Sequence, residues 1–232
     1  MQRPGRGRRT SVDLFPLWLS LKVALLATGI SLVLALVTAW ALSALDFPGK
    51  EALDAMTSLP LVLPPTVLGY YLLVVAGRES WLGKAWEALA GEPLVFTPKA
   101  AVLAAVVHSA PLLIKYLRSA IEGVDPLYVK AARSLGMPEW RIFLRIVLPL
   151  ARRGVLAATV LAFARSLGDF GVTVMIAGNI PGKTQTLSVA IYQAVESGQG
   201  EVARNLVLIV SALGLVIVWA ANRMQAPGAL RG

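Results

Sequence analysis

One uncharged run of 23 residues, Val23 to Leu45, constrains the fold of this chain more than any other feature of its sequence. A helix needs about 20 apolar residues to cross the roughly 30 Å hydrocarbon core of a bilayer. Lipid offers no hydrogen-bond partners to the backbone, so a segment of this length crosses as a helix. The run therefore predicts an all-α integral membrane protein.

Four more apolar runs have a length that suits membrane crossing or come close to it. The predicted spans cover residues 23–45, 59–76, 96–117, 154–176 and 205–221. Residues 1–22 form a basic N-terminal segment followed by a stretch suited to the membrane interface, and residues 222–232 form a polar tail. The first run is too long for a cleaved signal peptide, so we expect it to stay in the protein.

Composition supports a membrane protein and excludes several kinds of site. The chain is 56% hydrophobic and only 15% charged, whereas soluble domains average about 25% charged residues. Its lack of cysteine excludes disulfides and thiolate metal sites, and its single histidine excludes a histidine metal cluster. The net charge of +9 suits cytoplasmic loops of a membrane protein better than nucleic-acid binding.

The 118–153 segment between the third and fourth spans is strongly basic. It carries seven Lys and Arg residues, which the positive-inside rule places in the cytoplasm. Five spans then put the N-terminus outside, against the four arginines Arg3, Arg6, Arg8 and Arg9. We follow the larger loop.

Residues Asp125 to Pro149 predict two short helices with a bend between them. Asp125 is suited to cap the first helix and Pro126 to occupy its first turn. Gly136 is placed to end that helix in a left-handed conformation. Pro138 is then expected to open a second helix, which Pro149 closes.

The same residues resemble the signature of binding-protein-dependent, type I ABC importer permeases. That signature reads Glu-Ala-Ala, three residues, Gly, nine residues and Ile-x-Leu-Pro. The resemblance assigns contact with an ATPase subunit to Lys130, Ala131, Ala132, Gly136, Ile146, Leu148 and Pro149. Lys130 departs from the pattern, which most often has Glu there.

The fourth span and its exit resemble the molybdate branch of these permeases, and less closely the sulfate/thiosulfate branch. The matching residues are Phe163 to Arg165, Leu167-Gly168, Phe170-Gly171 and Asn179 to Thr184, with Asp169 where Glu is common. The resemblance implies a multi-pass subunit of the inner (cytoplasmic) membrane that imports molybdate, with sulfate/thiosulfate or tungstate as alternatives. It also implies a homodimer, two ATPase copies and an extracytoplasmic oxyanion-binding protein.

ATP hydrolysis is expected on another chain, because the sequence has no phosphate-binding G-x-x-x-x-G-K-[ST] motif. We therefore expect a transport subunit that is not an enzyme and needs no cofactor or metal. A self-sufficient channel or secondary transporter is the alternative from another class. Such proteins often carry inverted repeats, and no internal repeat is visible here.

The fourth span also supplies candidate residues for the translocation pathway. Arg165 and Asp169 are four apart, which predicts a shared helix face and either an ion pair or a cation that helps an oxyanion pass. Gly168 and Gly171 are expected to break the helix around Asp169. The lone His108 in the third span is interpreted as a packing residue.

Overall fold

The computed structural model describes residues 13–225, and this part of the chain is helical with no strand. Its helices are α1 (Phe15–Ala44), α2 (Lys50–Val62), α3 (Pro65–Ala76), α4 (Trp81–Ala90), α5 (Pro98–Glu122), α6 (Pro126–Ser134), α7 (Glu139–Ile142), α8 (Leu148–Leu167), α9 (Gly171–Ala177), α10 (Leu187–Glu196) and α11 (Gly200–Gln225). The predicted basic segment up to residue 12 and the tail from residue 226 lie outside the described residues.

Helices α1 and α5 pack side by side in the same direction and form the centre of the molecule. Val23 and Ala27 share one buried cluster with Ala100 to Ala105, near the start of both helices. Leu42 shares a second cluster with Leu117, near the end of both. Small residues line this contact, which lets the two backbones approach closely.

Helices α2 and α3 are joined by a bend of 115° at Leu63 and Pro64. The predicted span over residues 59–76 is therefore interrupted at this bend, and much of the predicted polar connection before it belongs to α2. Pro64 and Pro65 cause the break, because a proline has no N–H to bond back to the preceding turn. Because α1 and α5 cross the membrane in the same direction, the chain between them must cross back once. The bent pair α2–α3 makes this crossing.

Four helices are long and apolar enough to cross a membrane, and the bent pair brings the total to five among the described residues. The boundaries differ from the predicted ones at four places, one of which is α5, extending to Glu122 beyond the predicted 96–117 span. The interfacial stretch before residue 23 is continuous with α1, and α11 extends beyond both ends of the predicted 205–221 span. The fourth crossing begins at Glu139 and is interrupted after Leu167.

Candidate functional site

The coupling loop, residues 118–153, contains the helix–bend–helix arrangement that the sequence predicts up to Gly136. The Asp125 side chain accepts a hydrogen bond from the Leu127 N–H at 2.8 Å, and Pro126 occupies the first turn of α6. At its other end Gly136 has a φ of 75°. The Gly136 N–H bonds to the Arg133 carbonyl and the Met137 N–H to the Ala132 carbonyl, which is the Schellman arrangement.

One ion pair joins the two loop helices across the bend. Arg133 donates to both carboxylate oxygens of Glu139, at 2.6 and 3.1 Å. These hydrogen bonds raise the pKa of the Arg133 guanidinium. A two-point contact of this kind restricts orientation as well as distance.

The paired alanines of the signature have different surroundings. Ala132 is buried against Ile142 and Val147, whereas Ala131 and Lys130 are exposed. Leu127 and Leu135 are also exposed, by 67% and 82%. Apolar side chains exposed together on a loop are typical of a protein–protein contact.

Pro149 does not close the second loop helix, contrary to the prediction. The chain continues from α7 through one π-helical turn, Phe143–Val147, into α8, and Pro149 lies in the first turn of α8. The Leu148 N–H bonds to the Phe143 carbonyl, five residues back. The wider turn accommodates a proline that has no N–H of its own. Ile146 and Leu148 are half-buried beside this turn, and Pro149 is exposed.

Arg165 and Asp169 do not form the ion pair that their spacing predicted. Helix α8 ends at Leu167, so the two residues do not lie on one continuous helix face. The Arg165 Nε instead lies 3.5 Å from the His108 carbonyl oxygen on α5. The glycines do accompany a helix break, as predicted, because α9 starts only at Gly171.

Asp169 is bound to the start of α9. Only 4% of its surface is exposed. One carboxylate oxygen accepts from both the N–H and the hydroxyl of Thr173, at 3.1 and 2.5 Å. The other oxygen lies 3.9 Å from the His108 Nε2 and has no hydrogen bond among the described residues. Sequence reasoning missed Thr173, although a carboxylate just before an apolar run is a helix-start signal.

The break at 168–170 touches the break between α2 and α3. A Cβ added at Gly171 would lie 2.8 Å from the Cβ of Pro65. One turn further on, a Cβ at Gly69 would lie 2.7 Å from the Cβ of Met175. Helices α3 and α9 therefore pack through glycines, and the structure brings two interrupted crossings together.

Comparison with known proteins identifies the family. The model of the family described as "Binding-protein-dependent transport system inner membrane component" matches residues 30–226. The molybdenum transport system permease protein ModB of Escherichia coli (strain K12) is 46% identical over 199 residues, 85% of this chain and 87% of that one. A probable sulfate transport system permease of Chlorokybus atmophyticus is 32% identical over 206 residues, 89% of this chain and 72% of that one.

A solved structure agrees on the fold. The inward-facing MetNI methionine ABC transporter matches with a TM-score of 0.73 at 17% identity, covering 92% of this chain and 94% of that one. Because the family model covers most of the sequence and the Escherichia coli relative is 46% identical across it, the chain belongs to the binding-protein-dependent transport system inner membrane components, the permease subunits of ABC importers.

Proposed function

We propose that this chain is the membrane-spanning subunit of a molybdate importer in the cytoplasmic membrane. The observation that carries the proposal is the 46% identity to a molybdenum permease across 85% of the chain. The sulfate permease is 32% identical, which supports molybdate over sulfate. Tungstate has the same tetrahedral dianionic form and is the closest alternative.

The subunit works as a homodimer with two copies of an ATPase subunit and an extracytoplasmic binding protein that delivers the oxyanion. The exposed apolar side chains of the coupling loop support ATPase docking there, with Lys130 and Ala131 on the contact surface. Ala132, Gly136, Ile146, Leu148 and Pro149 shape the backbone that carries this surface. ATP hydrolysis on the partner moves the loop, and the crossings move with it.

Arg165 helps the oxyanion through the membrane. Its only hydrogen-bond partner among the described residues is a carbonyl oxygen at 3.5 Å, which leaves the guanidinium without a compensating carboxylate bond. Gly168 and Gly171 give the chain its interruption there, and Asp169 holds the start of α9.

Uptake by a reconstituted system tests the proposal. The permease, ATPase subunit and binding protein are placed in proteoliposomes, and ATP-dependent uptake of labelled molybdate, tungstate and sulfate is compared. We expect molybdate to accumulate and sulfate to be excluded. Uptake without ATP would assign the chain to self-sufficient transporters, and preferred uptake of sulfate would reject molybdate as the substrate.

A further inference from the structure

Three arginines at the coupling-loop end of the fourth crossing have no acidic partner among the described residues. Arg145, Arg152 and Arg153 are all exposed. Two other arginines of the loop are neutralised, Arg118 by Asp54 and Glu122 and Arg133 by Glu139, and Arg141 lies over the ring of Trp140 at 5.1 Å. The three unpaired cations therefore form a positive patch on one helix.

Arg153 lies on the face of α8 that α11 covers further along the helix. Val160, Phe163 and Leu167 pack against Leu213 and Ile217 of α11. Leu156 and Arg153 extend this row toward the coupling loop at steps of four and three residues, which keeps them on the same face. Both are exposed, so α11 leaves this part of the face open.

Apolar side chains alternate with the arginines along the helix. Trp140, Leu144, Leu150 and Leu156 are each about half exposed. On α11, Trp219 is 60% exposed and Arg223 lies over its ring at 5.0 Å. Tryptophan and arginine together at a helix end are typical of the boundary between hydrocarbon and headgroups.

The charge pattern places the arginines at this boundary. Arg152 and Arg153 are the last charged residues before the uncharged stretch from Gly154 to Ala164. Charged side chains avoid the hydrocarbon core, so Arg152 and Arg153 lie at its inner edge. Arg145 precedes them by about two helical turns and lies among the headgroups.

From this patch we infer a binding site for the phosphate headgroup of an anionic phospholipid. Guanidinium groups bind phosphate oxygens in pairs of parallel hydrogen bonds. The acyl chains lie along the exposed side chains of Leu150 and Leu156 on α8. The lipid thus covers the part of the α8 face that α11 leaves open, next to the coupling loop.

Native mass spectrometry of the full-length chain tests the site without requiring transport. Protein in mild detergent is mixed with equal amounts of phosphatidylglycerol and phosphatidylcholine, and retained lipids are counted. We expect preferential retention of phosphatidylglycerol. In the variant R145Q/R152Q/R153Q we expect this preference to fall about fivefold for each arginine replaced.

The matched control is K22Q/K183Q/R204Q, which removes three exposed cations from the opposite end of the molecule. It should retain the parent's preference. Equal losses in both variants, or none in the first, would overturn the site. If the triple variant fails to fold, the three single replacements carry the same test.

Two further outcomes would also reject a lipid site. Loss of ATPase co-purification with unchanged phosphatidylglycerol retention would assign the patch to the ATPase contact. If the triple variant in phosphatidylcholine alone no longer binds molybdate, while its phosphatidylglycerol retention is unchanged, the three arginines would belong to the translocation pathway. The count of retained phosphatidylglycerol does not depend on molybdate being the transported oxyanion, so failure of the lipid site leaves the proposed function standing.

Discussion

Asp169 shows how a single backbone interruption changes the partner of a charged residue. Its carboxylate bonds to Thr173 at the start of α9, while Arg165 lies against a carbonyl of α5. A hydrogen bond to a charged group contributes about 1.5–3 kcal/mol. The carboxylate therefore stabilises the start of α9, and it does not serve to neutralise Arg165.

A double-mutant cycle separates these two roles. We expect Asp169→Ala and Thr173→Val to be strongly coupled in thermal unfolding, by about 1–2 kcal/mol, because both remove the hydrogen bond from the Thr173 hydroxyl to the Asp169 carboxylate. Asp169→Ala and Arg165→Gln should instead add to within about 0.5 kcal/mol. Strong coupling between Asp169→Ala and Arg165→Gln in unfolding free energy would instead indicate a direct ion pair between these two residues.

Gly136 is a residue whose role rests on backbone conformation alone. A Cβ there would meet nothing within 4 Å, but the φ of 75° is unfavourable for a residue with a side chain. We expect Gly136→Val to cost about 1–2 kcal/mol and to reduce co-purification of the ATPase subunit. Gly91 is a matched control, since it has a φ of 71° and equally open surroundings outside the loop.

Gly91→Val should show a comparable loss in thermal stability with the ATPase contact intact. If both variants lose the ATPase subunit equally, general destabilisation explains the effect. If Gly136→Val keeps it, the bend does not position the docking surface.

At the scale of elements, the contact between the two broken crossings ties their positions together. The α2–α3 bend and the α8–α9 interruption meet where Gly171 faces Pro65. Protein interiors at such contacts have no room for an extra methyl group. A movement of α9 during transport therefore requires α3 to move with it or the contact to open.

Alanine substitutions at these glycines test the contact. We expect Gly171→Ala and Gly69→Ala each to destabilise the folded protein by about 1–3 kcal/mol through overpacking. Gly214→Ala on α11 is the control, because a Cβ there meets nothing within 4 Å. Thermal unfolding in detergent gives the comparison. Parent-like stability of Gly171→Ala would show that the breaks do not touch tightly.

The sequence predicts these elements where local chemistry decides the structure. Asp125, Pro126 and Gly136 act through their own backbone, and the structure confirms the cap and the left-handed turn. The spacing rule failed for Arg165 and Asp169 because it holds only within a continuous helix. The prediction that Pro149 ends a helix was wrong because the preceding π-helical turn accommodates the proline. Nothing in the local sequence distinguishes such a turn from a helix end.

At the scale of the whole molecule, the direction of each crossing follows from the parallel pair α1 and α5. Helix α5 runs toward the coupling loop, so the described start of α1 lies at the opposite end. If the loop is cytoplasmic, this end faces outside, in agreement with the five predicted crossings. The basic N-terminal residues, which favour the opposite placement, lie outside the described part of the chain.

Single-cysteine labelling in this cysteine-free chain tests the topology. We expect Lys130→Cys to react with a membrane-impermeant reagent only after the cells are opened. Asp13→Cys and Lys183→Cys should react in intact cells. Labelling at position 130 from outside would reverse the whole arrangement, whereas protection of position 13 alone would place the N-terminus inside.

The pairing of α1 with α5 also determines when the protein can acquire its shape during synthesis. The hydroxyls of Ser31 and Ser109 lie 3.3 Å apart across the two helices, and 78 positions separate them in the chain. At about 5–20 residues per second, roughly 4–16 s pass between translation of the two. Throughout that delay α1 lacks its principal neighbour. In nascent chains arrested before α5, we therefore expect α1 to insert with the arginines that precede it on the cytoplasmic side. The orientation of α1 is thus decided only after α5 has been synthesised.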